Sequence, residues 1–254
     1  MTDSSASGRG WYRRAFQDDY LLVYSHRTLK EARHQVAMAI KHLPFKRGQQ
    51  VLDIACGSGR HLLAFAERGA EVTGIDLSAP LLREAKELFR AGKYKATLKR
   101  ADMRELPYQE RFDGVSIWFT SFGYFTKESD DLKALKSLAA ALRPGGWWWI
   151  DIPNPVYLRS HLIPESRRSV TGEHGKVMIF EQRRIVGDRV VKKVVIQDSK
   201  GKRSWDERVR LYSPEQFGSI IKRARLTTHG VLGDYDGGAL AASRPRQIWY
   251  GLKP

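Results

Sequence analysis

Only one cysteine, Cys56, occurs among the 254 residues. That excludes an internal disulfide, and a single thiol cannot build a thiolate zinc site. No apolar run approaches the roughly 20 residues that a membrane-spanning helix requires. The opening MTDSSASGRG is polar and lacks the apolar stretch of a secretory signal, so a cytoplasmic protein without membrane attachment is expected. Acidic residues are the other shortage, with 28 Asp and Glu against 44 Lys and Arg, a formal charge of +16. The imbalance is uneven. From Pro155 to Pro254, 20 basic residues face 10 acidic ones, which leaves +10 in the last hundred residues and +6 in the first 154. Such an excess fits nucleic acid, an acidic small molecule or an anionic surface, and equally a solvated face.

What is present is ordinary globular material, 42% hydrophobic and 28% charged, enough for one substantial core. Helical spacing of apolar residues runs over 27–43, 60–67, 79–91 and 130–142, the last stopped by Arg143-Pro144-Gly145-Gly146. Strand patterns fall between them at 50–55, 71–76, 95–100, 113–119 and 147–152. Strict alternation of strand and helix predicts an open, mostly parallel sheet with helices on both faces. Trp147, Trp148 and Trp149 lie in its fifth strand and read as core. After Asn154 the pattern alternates between β-branched and charged residues, with turns at Gly187-Asp188 and Lys200-Gly201, as antiparallel hairpins do. A helix over 214–223 capped by Ser213 and strands over 227–234 and 246–251 follow. The organisation expected is an N-terminal cap segment (1–44), an α/β core (45–154), a small antiparallel β insertion (155–212) and a closing helix with strands that complete the core sheet (213–254).

Ligands of such sheets bind at the carboxyl ends of the strands. The first strand runs into VLDIACGSGRHL, where Gly57 and Gly59 let a ligand approach the backbone ahead of a helix. A dinucleotide loop wants a third small residue where Leu62 stands, so the pyrophosphate fingerprint is not met. Asp53 is placed to bind a cation such as an ammonium, or to hold the loop through its backbone N–H groups. Asp76, at the second strand tip, is suited to a ribose. Asp102 can accept a hydrogen bond from an exocyclic amino group with Met103 against the ring. Three strand tips thus offer places for an amino acid, a ribose and an adenine.

The series VLDIACGSGRHL, VTGIDLS, RADMRELP, FDGVSIWFTSFGYF and LRPGG resembles the class I S-adenosylmethionine-dependent methyltransferases over residues 45 to 152. WYRRAF, YSHR, RLYSPEQF, GDYDGG and SRPR resemble a bacterial subgroup of mostly unassigned substrate. The resemblance implies S-adenosyl-L-methionine as cofactor and a Rossmann-like methyltransferase sheet. It implies that Asp53, Ala55, Gly57 and Gly59 line the methionine part, with Ala55 where the family usually has glycine. Asp76 and Leu77 would serve the ribose, Asp102 and Met103 the adenine, and Phe119 and Thr120 would close over the methyl group. Tyr12 and Arg27 would cap the cofactor.

The acceptor is less legible. His26, Tyr24, Tyr124 and Asp236 are candidate bases, of which His26, Tyr124 and Asp236 are taken as the catalytic set. Tyr24, Phe122, Tyr124 and Tyr235 are candidate pocket residues. His61 is expected to make local contacts only. Cys56 sits in the cofactor loop, which argues against nucleophilic attack on a pyrimidine. The fourth strand tip, Phe119-Thr120-Ser121-Phe122, lacks the acid-or-amide, Pro-Pro, aromatic pattern of many base methyltransferases. Asp151-Ile152-Pro153-Asn154-Pro155 reads as the exit into the β insertion. The cations Arg183, Arg184, Lys192, Lys193, Lys202 and Arg203 are expected to form a lid attracting an anion, or a solvated face. The expected activity is methyl transfer to a small-molecule acceptor, anionic or aromatic, by a monomer or homodimer without a metal. The alternatives are an RNA methyltransferase using the basic half and a protein that binds the cofactor without turnover.

Overall fold

A computed structural model describes residues 10–172 and 175–254, the side chain of residue 14 excepted. The polar opening at 1–9, and with it the reading about a secretory signal, lies outside the described residues. In chain order the first elements are α1 (Tyr12–Ala15), α2 (Asp18–Val23), α3 (Leu29–Ala39), β1 (Gln50–Ile54), α4 (Arg60–Ala66), β2 (Glu71–Asp76) and α5 (Ala79–Ala91). They continue with β3 (Thr97–Arg100), β4 (Phe112–Ile117), α6 (Glu128–Ala141), β5 (Leu142–Pro153) and α7 (Pro155–His161). The last are β6 (Glu165–Gly172), β7 (Gly175–Val186), β8 (Arg189–Asp198), β9 (Gly201–Arg210), α8 (Pro214–Arg223), β10 (Thr227–Leu232) and β11 (Arg246–Leu252).

Seven strands form one sheet in the order β10-β11-β5-β4-β1-β2-β3. The five from β5 to β3 are parallel, and β11 and β10 add antiparallel at one edge. The order reverses between β1 and β4, so a crevice opens there at the strands' carboxyl ends. Residues of α3, α4 and α5 pack on one face together with Trp147 and Trp149, and residues of α6 and α8 pack on the other with Trp148. The alternation of side chains along a strand splits the tryptophan triplet in this way. An open, mostly parallel sheet with helices on both faces and a small antiparallel addition is the fold of this chain.

Caps explain several helix starts. The Thr28 hydroxyl accepts from the Glu31 N–H (3.2 Å) to begin α3, and Ser78 does the same for Leu81 ahead of Pro80 in α5. Ser213 and Gln216 form a capping box at α8. Three features differ from the sequence reading. The helix expected over 27–43 begins only after its Thr28 cap, and the segment before it folds into the short helices α1 and α2. The stop expected at Arg143–Gly146 lies inside β5, as an outward bulge marked by Gly145 at φ 74° and a register shift against β4. The insertion has four strands in the order β6-β7-β8-β9, because ESRRSVTG pairs with β7 as an unexpected edge strand.

One face of that smaller sheet, with Val177, Ile179, Val194 and Ile196, packs on Val23 and Leu22 of α2. The N-terminal helices are thereby held beneath the inserted sheet. The expected cationic lid divides. Arg183 pairs with Glu181 (2.6 Å), Lys192 with Glu181 (3.1 Å) and Glu207 (3.3 Å), and Arg203 with Asp19 (2.7 Å) and Asp198 (2.8 Å). Arg184, Lys193 and Lys202 are exposed. Strand alternation turns them to the opposite face, so none of the six lines the main hollow.

Candidate active site

At the crevice, β1 ends in Asp53 and the loop Ala55-Cys56-Gly57-Ser58-Gly59. The loop turns through left-handed backbone at Ala55 (φ 56°), Gly57 (φ 54°) and Gly59 (φ 78°). Glycine is required at 59 on a second ground, since a Cβ there would stand 3.0 Å from the Ala85 Cβ of α5. Ala55 has no such freedom and bears a left-handed cost of about 1 kcal/mol. Asp76, the last residue of β2, clamps the loop. Its Oδ2 accepts from the Gly57 N–H (2.9 Å) and its Oδ1 from the Ser78 N–H (2.8 Å).

The hollow in front of this loop encloses about 1040 Å³ of space between atoms, the opening to solvent included. Asp53, Ala55, Gly57, Asp76, Leu77, Asp102 and Met103 line it together, so the three strand tips converge on one space. Phe119 lines it from the β4 tip, and Tyr12, Tyr24, Arg27 and Tyr124 from the opposite wall. Gly59 and Thr120 contribute backbone shape and no lining.

Burial sets the charges. Asp53 is 2% exposed, with the Ser116 hydroxyl of β4 as its hydrogen-bond donor (3.0 Å). Burial pushes its carboxyl up to about 8, against the pull of that bond. Burial also raises Asp76, opposed by its backbone hydrogen bonds. Asp102 behaves differently. Partial burial would raise it, but hydrogen bonds from Arg104 through Nε (3.0 Å), Nη2 (2.7 Å) and the backbone outweigh this and hold it below the usual range. Much of the acceptor capacity expected of Asp102 is thus spent within the chain.

Arg27 is the unusual cation. Its guanidinium donates to the Tyr20 hydroxyl (3.2 Å) and lies over the rings of Tyr24 (4.1 Å) and Phe119 (4.8 Å). No carboxylate of the described residues lies within ion-pair distance of it. Arg60 also lines the hollow, with Glu31 as a loose partner at 3.8 Å. Two guanidiniums therefore face a cavity with donors to spare.

The catalytic candidates separate. His26 is exposed and Asp236 stands in solvent beside His34 (3.5 Å), so neither reaches the hollow. Burial holds the Tyr124 and Tyr24 hydroxyls well above the ordinary phenol value, so they are donors at neutral pH. Tyr24 donates to Glu207 Oε2 (2.8 Å) and accepts from Lys192. Phe122 turns into the core against Tyr212 and Phe217, because the chain doubles back after Thr120. Tyr235 sits behind the wall, its ring stacked 6.0 Å from that of Phe119. Among the described residues no group of three or more His, Cys, Asp or Glu is placed to hold a metal ion.

The sequence reading missed several lining residues, among them Phe16, Tyr20, Arg60, His61 and Trp118. His61 is buried, stacked on Trp118 at 4.5 Å, with Nε2 2.7 Å from Gln35 Oε1. Burial and the charges of Arg60 and Arg27 keep it neutral. The one available signal was its position in the first turn after the glycine loop.

A methyltransferase-domain family pattern matches residues 51–146. The chain is 28% identical over 224 residues to a dTDP-3-amino-3,6-dideoxy-α-D-glucopyranose N,N-dimethyltransferase of Streptomyces fradiae, covering 85% of this chain and 84% of that one. It is 27% identical to a cypemycin N-terminal methyltransferase of a Streptomyces species, covering 80% and 82%. In fold it is similar to an S-adenosylmethionine-dependent methyltransferase of Clostridium acetobutylicum, with TM-score 0.75, 20% identity and coverage of 92% and 96%.

Proposed function

This chain is a class I S-adenosylmethionine-dependent methyltransferase, and we propose that it methylates an amine on a small molecule. The observation that carries the reading is the single hollow that joins three acid-bearing strand tips to an aromatic wall beneath the N-terminal helices. S-adenosylmethionine supplies a sulfonium methyl group when bound. Asp53 suits the ammonium of its amino-acid part, and Arg27 with Arg60 suits the carboxylate. Asp76, which lines the hollow, suits the ribose hydroxyls, and Met103 beside Asp102 offers an apolar surface to the adenine.

For the acceptor, the walls argue against a mechanism built on a strong base. Tyr24 and Tyr124 stay protonated, and His26 and Asp236 lie elsewhere. A neutral amine brings its own lone pair and needs chiefly to be held in line in a dry site. The charges of Arg27 and Arg60 disfavour the protonated amine and so favour that neutral form. The two relatives act, by their names, on an amino sugar and on a peptide N-terminus, both amines. RNA is the weaker acceptor, because the inserted sheet's cations are either paired or turned away from the hollow.

Incubation with labelled S-adenosylmethionine and dTDP-3-amino-3,6-dideoxy-α-D-glucopyranose, short peptides or total RNA tests this. Label on the amino group of the sugar nucleotide is expected. Label entering RNA alone overturns the reading.

A further inference from the structure

His61 is a buried titratable side chain with one ring nitrogen unengaged. It stands in the first turn of α4, 5% exposed, and forms part of the wall of the hollow. The Trp118 ring lies parallel to the imidazole within 3° at 4.5 Å and covers one of its faces. Directly after Trp118 the chain turns through left-handed backbone at Phe119 (φ 52°) and Thr120 (φ 66°), which brings the Phe119 ring to 5.7 Å from the imidazole. Packing thus fixes the plane of the ring.

The tautomer is fixed from α3. Glu31 and Gln35 stand one turn apart on that helix, and Gln35 Nε2 donates to Glu31 Oε1 (3.4 Å). A carboxylate only accepts, so the amide turns its N–H groups there and its Oε1 toward His61 Nε2 (2.7 Å). An amide oxygen likewise only accepts, so His61 carries its hydrogen on Nε2. Nδ1 is left with a bare lone pair. Among the described residues it has no hydrogen-bond partner, and unlike the indole nitrogens of Trp118 and Trp149 it is not sealed away from open space. The hollow is the open space that His61 borders. Burial and the guanidiniums of Arg60 and Arg27 make the ring a poor base, so it offers a hydrogen-bond acceptor rather than a sink for a proton.

We propose that His61 Nδ1 accepts a hydrogen bond from an amine N–H held in the hollow, and that Glu31 and Gln35 are positioning residues that set the imidazole tautomer for it. The proposal rests on the reading that the hollow holds S-adenosylmethionine and an amine acceptor. Two amines then qualify, the ammonium of the donor's amino-acid part and the amino group to be methylated. For the second, tying down one N–H restricts how the nitrogen lone pair can turn, which is the orientation that in-line transfer needs.

Long-range proton–nitrogen correlation spectra of the full chain with labelled histidine read the ring directly. His61 should show Nε2 protonated and Nδ1 bare, and Nδ1 should move upfield when an N–H reaches it. Movement with S-adenosylhomocysteine but not with 5′-methylthioadenosine, which has no amino-acid tail, assigns the contact to the donor's ammonium. Movement only when dTDP-3-amino-3,6-dideoxy-α-D-glucopyranose joins S-adenosylhomocysteine assigns it to the acceptor. A protonated Nδ1 overturns the proposal. So does an Nδ1 that stays still, or one moved equally by both nucleosides with nothing further from the sugar nucleotide. Substitutions give an independent check, with thermal melting alongside. Asparagine places an amide oxygen near the Nδ1 position, whereas glutamine reaches the Nε2 position and keeps the bond to Gln35. If His61 only packs, His61→Gln is the milder change. The expected order is the opposite: His61→Asn stays within about threefold of wild type in nucleoside affinity or acceptor KM, and His61→Gln loses about tenfold. Equal losses or the reverse order overturn the proposal, and the wild-type spectra carry the test should either variant not fold. Calorimetry that finds neither nucleoside bound overturns the donor reading, whereas bound nucleoside with an unmoved Nδ1 overturns this proposal alone.

Discussion

Asp53→Asn separates the two roles that a buried acid at the β1 tip can have. The carboxyl is 2% exposed, accepts from Ser116 and is pushed up to about 8 by burial, from an ordinary value of 3.8. At pH 7 the folded, ligand-free protein therefore holds a proton here most of the time. Because the folded value lies above the unfolded one, the stability linked to this group is fully present below pH 4. It is lost as the pH climbs through 8, on the order of 1.4 kcal/mol per unit. Asparagine does not titrate. Urea melts at pH 5 and pH 7 should show the variant gaining on the wild type by on the order of 3 kcal/mol across that interval. Ligand binding should move the opposite way. An ammonium docking on Asp53 must displace its proton, so wild-type affinity for S-adenosylhomocysteine should rise about tenfold per unit from pH 6 to 8, with close to one proton released at pH 7. Calorimetry in two buffers of different ionisation enthalpy counts that proton. The variant should bind about 10–100-fold more weakly at pH 8 and show a flat profile. A variant that retained the wild-type slope, or a wild type that released no proton, would refute both the buried charge state and the ammonium contact.

Three further expectations are independent of that one. Arg27→Gln should weaken S-adenosylhomocysteine about tenfold or more yet leave 5′-methylthioadenosine, which lacks the amino-acid tail, unchanged in a competition assay; equal losses would detach Arg27 from the tail. Ala55→Gly should raise stability by about 0.5 kcal/mol in urea melts, because relief of the left-handed strain exceeds the entropy of an added glycine, and a loss would show that the methyl group packs usefully. Asp131 is buried, accepts from the Tyr212 hydroxyl (2.8 Å) and is raised to about 7 by burial. Its linked stability is full below pH 4 and is lost as the pH climbs through 7, so Tyr212→Phe, which removes a donor to the ionised carboxylate, should cost about 1–3 kcal/mol at pH 8 and less at pH 6, where the acid is mostly protonated.

How much of this was legible beforehand depended on whether the signal was local. Asp53, Asp76 and Asp102 could be assigned to one space because parallel strands joined by right-handed crossovers leave their carboxyl ends side by side. The glycine loop announces itself by residue type. Phe119 and Thr120 do not, since neither is a residue that usually marks left-handed backbone. Their hydrogen-bond partners are Asp151, 32 residues after Phe119, and Arg246, 126 residues after Thr120. The same stretch, Asp151 to Pro155, reads as a simple exit from the sheet when only its neighbours are considered. His26 and Asp236 were plausible bases by type and fell outside the hollow because helix and loop direction, not composition, decides which way a side chain faces.

The wall facing the strand tips shows why the rest of the hollow is harder to read than the tips themselves. The acid-bearing tips come from neighbouring strands of one sheet, whereas the remaining wall is assembled from parts far apart in the chain. Tyr24 reaches the hollow from the N-terminal segment, but its hydroxyl is fixed by Glu207 of β9 and Lys192 of β8, and Lys192 is fixed in turn by Glu181 of β7. Burying these charges is costly unless each finds its partner, so these bonds tie three of the inserted strands to the N-terminal segment. A change of any one of Glu181, Lys192 or Glu207 would therefore be felt at Tyr24, inside the site, although none of them lines it. In this fold the inserted sheet bears on the hollow through the N-terminal segment it packs against, while its exposed cations Arg184, Lys193 and Lys202 lie on the far face and do not line it.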